Sequence, residues 1–474
     1  MNYPFLSSAV TSILRLQKKN IEESKLWSVG TLLVLVYFVA KTLYFALYTK
    51  AGVPPDEWYH IQLINIYHQA NGSFLGPELK YAKFGAVSES FWLYHYSLGL
   101  WQHLKPEFLD AITWMRVASV FLSFLFLVAF IRLTNNLLSK PLSFIAVAIQ
   151  SNLLMFTFMS GSVSYDVMVH LWAVSAILFF STWLRQRSIK DLISCLLFIA
   201  LGSLTKISFL PLSGILVLLL AIDLLIFRRK LLPIVFDKTW IPANKLKLVI
   251  LLFFGALSLN LVGGNLIKYK SISPACHDVY TKSECLTHNG VYKRDHDLVN
   301  NKRPIRLGMY DYFTRWKSAM VNSIFGIVSG PKVWPKPTTT KTIVDSLNLF
   351  AIFLMASIFI GFLSRRIPSQ YPIILLSVVG LLYGLILFFQ VNYNAYLNSG
   401  VFHLALQGRY LFPVISVVVI SFTYYLFNPI PRIILAPLAI AVAIFFIRNE
   451  FIYFIKSDSK MAIIAKDSPL IEKF

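Results

Sequence analysis

Long apolar stretches alternate with short polar breaks along this chain, and the stretches have membrane-spanning length. A span needs roughly 20 mostly apolar residues, and in hydrocarbon a helix satisfies its own backbone polar groups. The first run covers residues 26–48. Others fall near 112–133, 141–160, 166–184, 190–205, 207–227 and 246–267, then 346–363, 371–390, 409–427 and 432–453. The pattern predicts an all-α polytopic membrane protein with about eleven transmembrane helices. The run from Phe91 to Leu104 is broken by His95, Gln102 and His103 and reads as interfacial or re-entrant. After Asp56, the residues Trp58, Ile61, Ile64 and His68 recur at helical spacing until Gly72. That spacing predicts an amphipathic outer-loop helix with Asp56 as N-cap and Glu57 in its first turn.

Composition agrees, at 57% apolar and 14% charged residues. Met1–Lys25 lacks the order of a cleaved signal peptide and reads as a cytoplasmic N-terminal segment. Basic residues gather in alternate short loops: Arg15, Lys18, Lys19 and Lys25, then Arg132 and Lys140, then Arg185, Arg187 and Lys190, with Arg228 to Lys247, Arg365, Arg366 and Arg432 later. By the positive-inside tendency, residues 49–111, 161–165, 268–345 and 391–408 lie outside. The chain thus divides into the N-terminal segment 1–25, a membrane core 26–267 with its first outer loop at 49–111, a basic outer subdomain 268–345, C-terminal membrane helices 346–453 and a polar tail 454–474. Much of the formal charge of +22 is spent on this topology, so it does not point to nucleic acid. The outer segment 268–345 is the exception, with 13 Lys or Arg against six acidic residues. It suits anionic headgroups or a phosphate-bearing lipid, or is a solvated basic loop. Cys195 lies within an apolar span, whereas Cys276 and Cys285 share the long outer segment and predict a disulfide in an oxidising compartment.

Candidate chemistry sits at the outer boundaries. Pro54-Pro55 forces extended backbone ahead of Asp56. Asp56 reads either as a cap or as a carboxylate that accepts a proton from a hydroxyl or holds a divalent cation. Asp166, at the mouth of a span after Ser160–Tyr165, is a second boundary acid. Lys206 either snorkels or meets a lipid phosphate. Arg409, in Gln407-Gly408-Arg409-Tyr410, stands at a helix N-terminus, where the macrodipole favours anions. A bound phosphate would reconcile the two, with Gly408 letting backbone come close. Interfacial anchoring is the other reading. Trp58, Tyr59, Trp92 and Tyr94 either anchor the interface or stack on sugar.

Pro-Asp-Glu-x-x-His after the first span, with Gln-Gly-Arg-Tyr-x-x-Pro before a late one, resembles a bacterial family of membrane proteins grouped with the GT-C glycosyltransferases, which use polyprenyl-phosphate sugars. The resemblance runs from about residue 26 to about residue 430 in layout. It implies a GT-C-like fold with Asp56, and Glu57 beside it, as catalytic carboxylates. It further implies substrate binding by His60, Asp166, Lys206, Gln407, Arg409 and Tyr410, with Arg409 on the lipid phosphate. Asp56 and Asp166 are the candidate ligands for a divalent cation, Mg or Mn. The single Asp166, in place of an Asp-x-Asp pair, counts against metal dependence. The absence of a large soluble C-terminal domain limits likeness to oligosaccharyltransferases to the membrane core.

P-loop, dinucleotide and His-Glu-x-x-His signatures are missing from the sequence. No internal repeat is evident, which weighs against a transporter built from repeated halves. The expected activity is transfer of a sugar from a polyprenyl-phosphate donor to an envelope glycan, lipid or protein acceptor. Its expected place is the outer face of a bacterial cytoplasmic membrane, in contact with membrane lipids. The alternatives are a flippase for a lipid-linked saccharide and a non-catalytic envelope assembly protein.

Overall fold

The computed structural model describes residues 4–70, 90–227, 240–329, 332–334, 371–457 and 460–465, with side chains from residue 25 onward. Among these residues, eight helices are long and apolar enough to cross a membrane. They are Lys25–Tyr48, Ala111–Leu137, Tyr165–Gln186, Ile207–Ile226, Trp240–Tyr269, Tyr371–Ser399, Gly408–Phe427 and Ile433–Lys456. This is a multi-pass membrane protein. The predicted span at 346–363 lies outside the described residues.

Two predicted spans take other forms. Residues 141–160 form a pair of helices, Lys140–Ser151 and Leu154–Ser160, bent by 67°. A helix break orphans backbone carbonyls. Here the buried Lys41 supplies the missing donor, its Nζ lying 2.7 Å from the Ser151 carbonyl and 2.6 Å from Asn152 Oδ1. The stretch 190–205 becomes the shorter helix Ile189–Ser203, ended by a turn in which Lys206 is extended before the helix Leu210–Ile226.

Burial sorts the helices into layers. Tyr165–Gln186 is the central span, 83% buried over its apolar window. It packs against Ala111–Leu137, Ile189–Ser203 and Phe412–Phe427. Trp240–Tyr269 has no buried residue in its window and turns Leu246, Val249, Leu252 and Phe253 outward, as a lipid-facing helix does.

The predicted loop helix is Glu57–Gln69, but its inward face differs from the expected one. Glu57, His60, Ile61, Ile64 and Tyr67 are buried, while Trp58 is 50% exposed. Glu57 and His60 can turn inward because each finds a buried partner, which a hydrophobic count cannot register. Leu93–Gln102, the predicted interfacial segment, is a short helix packed on this one. Outside the helices, the chain forms a small antiparallel pair, Ile327–Ser329 with Lys332–Trp334, not foreseen in an all-α reading. Cys276 and Cys285 are joined by a disulfide, and Cys195 is buried and free. Part of the stretch expected as a polar tail docks at the end of the first span, with Lys50 N donating to Ile463 O and Ala465 N to Tyr48 O.

Candidate active site

Four boundary charges from distant stretches meet at one end of the bundle. The Pro54-Pro55 lead-in delivers Asp56 with φ 61° and ψ 12°, in the left-handed region that Asp tolerates better than most residues. At this N-cap position its side chain makes no capping hydrogen bond. The carboxylate instead reaches across the site, with Oδ2 2.6 Å from Arg409 Nη2. The capping expected of Asp56 is therefore absent, because the left-handed turn points the side chain away from the helix's own amides.

Asp166 lies in the first turn of Tyr165–Gln186, where the macrodipole favours an anion. Its Oδ2 is 3.4 Å from Arg409 Nη1, and its Oδ1 is 2.5 Å from Lys206 Nζ. The Ser164 hydroxyl accepts from the Asp166 amide. Lys206 emerges from the break after Ile189–Ser203 with its ammonium 4.2 Å from the Tyr165 ring centre and 5.5 Å from that of Tyr410. Arg409 sits in the tight turn Gly408–Leu411 and is steadied by Gln407, whose Oε1 accepts from Nε at 2.6 Å. Two carboxylates thus face two cations.

These four differ in access. The Asp56 side chain is 53% exposed, whereas Arg409 and Asp166 side chains are 3% and 4% exposed. Asp56 is the acid of the pair that an incoming group can reach. Gly408, expected to admit a ligand, serves packing instead. A Cβ there would come within 2.6 Å of Ile324 Cγ1 and 2.8 Å of the Met320 carbonyl. Its amide donates to Ser323 Oγ at 2.6 Å, fixing the turn on the helix Met309–Phe325. Nor does Arg409 need a bound phosphate for balance, since the two carboxylates already supply it.

Glu57, expected beside Asp56 as a second catalytic acid, faces the other way and is 1% exposed. Its oxygens accept from Arg116 Nε at 2.9 Å and Nη2 at 2.8 Å, and from the Val163 and Gly52 amides at 3.1 and 2.9 Å. Arg116 also donates to the Thr49 carbonyl at 2.7 Å. With its oxygens spent, Glu57 is a clamp joining the first loop, the helix Ala111–Leu137 and the turn before Asp166. Arg116 escaped the sequence reading, although a lone arginine inside an apolar run is itself a signal.

His60, expected to bind substrate, is fully buried against a residue not singled out for this role, His95. Their rings stack with Nδ1 of His60 3.0 Å from Nε2 of His95, and the Tyr165 ring meets His60 edge-on. Burial pulls the His60 pKa down to about 3, with Asp166 opposing and Lys206 and Arg409 adding to the shift, and burial holds His95 well below its usual range. Both rings are therefore neutral near pH 7. His95, not His60, lines a cavity of about 120 Å³ with Tyr59, Tyr67, Tyr165 and Lys206. Tyr94 is fully buried and so is not one of the interfacial aromatics. A second, apolar cavity of about 450 Å³ is lined by Leu153, Ile324, Val418, Phe422, Phe446 and their neighbours. One of its lining residues, Ile324, is packed on Gly408, although no residue of the turn Gly408–Leu411 lines the cavity.

Asp56 and Asp166, the pair expected to hold a cation, approach a guanidinium between them. Among the described residues, no three His, Cys, Asp or Glu side chains converge to hold a metal ion. The donor set does not fit a divalent cation while Arg409 and Lys206 occupy the carboxylates.

No protein-family model matches the chain, and no curated protein matches it. Among solved structures, it is similar to ArnT from Cupriavidus metallidurans bound to undecaprenyl phosphate, at 11% identity and TM-score 0.38, over 84% of this chain and 77% of that one. ArnT in the apo state gives 12% identity and the same TM-score and coverage. The Archaeoglobus fulgidus oligosaccharyltransferase tethered to an acceptor peptide gives 11% identity and TM-score 0.42, over 89% of this chain and 54% of that one.

Proposed function

We propose that the protein is an integral-membrane glycosyltransferase of the GT-C kind, moving a sugar from a polyprenyl-phosphate donor to an envelope glycan, lipid or protein acceptor. It acts at the outer face of a bacterial cytoplasmic membrane. The observation that carries this reading is the Asp56–Arg409–Asp166–Lys206 cluster, whose Lys206 lines the cavity of about 120 Å³.

On this reading the donor's prenyl chain occupies the apolar cavity along the helix Phe412–Phe427, and its phosphate meets Arg409 and Lys206. The acceptor hydroxyl oxygen attacks the anomeric carbon. The bond from that carbon to the phosphate oxygen breaks, and its electron pair leaves with the phosphate. Asp56 takes the hydroxyl proton, being the exposed carboxylate of the pair. Cations fixed before the reaction stabilise the charge that develops on the leaving phosphate. Asp166 holds both cations in place, and Glu57 holds the loop that carries Asp56.

Purified protein in liposomes, supplied with radiolabelled polyprenyl-phosphate sugars and an envelope extract, tests this. The expected result is release of sugar-free polyprenyl phosphate, lost in Asp56→Asn. Movement of intact sugar-lipid between leaflets, with no bond broken, would replace the reading with a flippase.

A further inference from the structure

We infer that the stretch Lys302–Lys317 is a binding surface for the anionic phospholipid headgroups of the bilayer that the protein spans. The inference rests on the membrane spans and not on the glycosyl-transfer reading.

The stretch carries Lys302, Arg303, Arg306, Arg315 and Lys317 against a single acid, Asp311. It also exposes apolar side chains that water does not favour: Tyr310 is 81% exposed, Met309 53% and Phe313 38%. Cations interleaved with exposed aromatic and aliphatic groups are the composition of an interfacial segment. A surface meant for bulk water would show the charges without the apolar strip.

Position decides the occupant. Arg303 N donates to the Ser399 carbonyl at 3.0 Å, and the Arg306 and Leu307 amides donate to Tyr396 Oη at 2.9 and 2.7 Å. The basic stretch is therefore pinned across the end of the span Tyr371–Ser399, the level at which that helix leaves the hydrocarbon. Gly400 permits the close approach: its φ is +69°, and a Cβ there would lie 2.1 Å from the Arg303 carbonyl. The Phe313 ring packs on Phe388 at 5.3 Å, and Phe388 on Phe389 at 4.8 Å. Phe389, Leu385 and Leu381 are themselves 46%, 42% and 46% exposed on a helix that crosses the membrane. The apolar strip thus reaches, through the buried Phe388, a span whose neighbouring flank is exposed, and Arg303 and Arg306 stand at the end of that span. Lys317 covers the Phe313 ring at 5.2 Å, an ammonium over an aromatic stem. The far end of the same helix holds the Arg409 turn through Ser323 and Gly408.

The test uses the full chain in nanodiscs of phosphatidylcholine alone or with added phosphatidylglycerol. A polarity-sensitive dye on Tyr310→Cys should be quenched by brominated lipid and poorly by aqueous iodide. Amide exchange across 302–317 should slow at least about fivefold when phosphatidylglycerol is present, the worth of roughly one basic residue at an anionic surface. Raising the salt should reverse this slowing in the unaltered protein, and the combined change Arg303→Gln, Arg306→Gln and Arg315→Gln should abolish it. A dye open to iodide and silent to brominated lipid would show that the strip faces water or another molecule and overturn the inference. Equal exchange in the two lipid mixtures, or a slowing that survives both salt and the glutamines, would overturn it as well.

Discussion

The Asp56 carboxylate lies 2.6 Å from the Arg409 guanidinium although the two residues are 353 positions apart. The contact joins the one exposed acid of the cluster to a buried cation, so on the proposed reading the donor phosphate competes with Asp56 for Arg409. Displacing Asp56 from the guanidinium would free its carboxylate for the base role that the proposed transfer assigns to it.

Asp56→Asn should therefore separate binding from turnover. The amide keeps the shape and loses the charge, so turnover should fall by about 10²–10⁴-fold, the usual weight of a general base. Binding of undecaprenyl phosphate should tighten, by up to about fivefold, because a half-exposed ion pair worth roughly 0.2–1 kcal/mol no longer competes. Equilibrium binding in nanodiscs reads the second effect. Weaker binding in the variant would show that Asp56 helps to hold the phosphate rather than yielding to it.

Glu57→Gln should act on stability. Breaking a buried ion pair costs about 3–5 kcal/mol because the remaining charge is left uncompensated. Arg116 would keep its backbone acceptors, the Thr49 and Ala46 carbonyls, which places the expected loss toward the lower figure. A thermal unfolding midpoint equal to that of the unaltered protein, with turnover abolished, would return Glu57 to the chemistry.

The spans were legible because hydrocarbon demands long apolar runs, and those demands are local in sequence. Asp56, Asp166, Lys206 and Arg409 were legible individually, as charges at span ends assigned to one side. Their pairing was not, because contacts between residues 40 to 353 positions apart leave no periodic trace. The left-handed turn at Asp56 was equally hidden, since Pro-Pro-Asp reads as a conventional cap. Lys41 and Arg116 sit inside apolar runs, and a window average dilutes one charge among many aliphatic residues. In sequence His95 reads as an interruption in an apolar segment, because its contact with His60, 35 positions away, leaves no local trace.

The disulfide should be local in its effect. Replacing Cys276 and Cys285 with Ser should speed amide exchange in residues 276–300, where Tyr280 and Tyr292 pack around the bond. The cost should be about 2–3 kcal/mol for so short a loop, and exchange in the helix Tyr165–Gln186 should be unchanged. Thiol labelling from either side of sealed vesicles, after mild reduction, also fixes the face on which the segment lies. Labelling from the cytoplasmic side would invert the outward placement of the site.

Acid should destabilise the fold through the histidine pair. Burial lowers both His60 and His95, so the folded state binds fewer protons than the unfolded state below about pH 6.5. Their contribution is full above the unfolded pKa and is lost as pH falls toward the folded one. The unfolding midpoint should therefore drop between about pH 7 and pH 5, and the drop should be shallower in His60→Gln, which has one titrating ring fewer. A midpoint independent of pH over that window, in the unaltered protein, would mean that the rings take up protons without opening the fold.

Arg409 distinguishes a reacting site from an interfacial anchor, because the two roles divide differently between substitutions. Its guanidinium spans Asp56 and Asp166 with separate nitrogens while a third meets Gln407. Lysine offers one point of charge and cannot keep that fork, so Arg409→Lys should lose activity although the charge is retained. Arg409→Ala should lose more, by about 2–5 kcal/mol if a buried charge pair is broken, since Asp166 would keep Lys206 as its only cation of the cluster. If Arg409 acts mainly on the departing phosphate, kcat should fall further than donor affinity. An anchoring arginine would instead tolerate lysine, and alanine would lower the yield of protein without changing the activity of each molecule. That second pattern would leave the carboxylates as the sole basis for the proposed transfer.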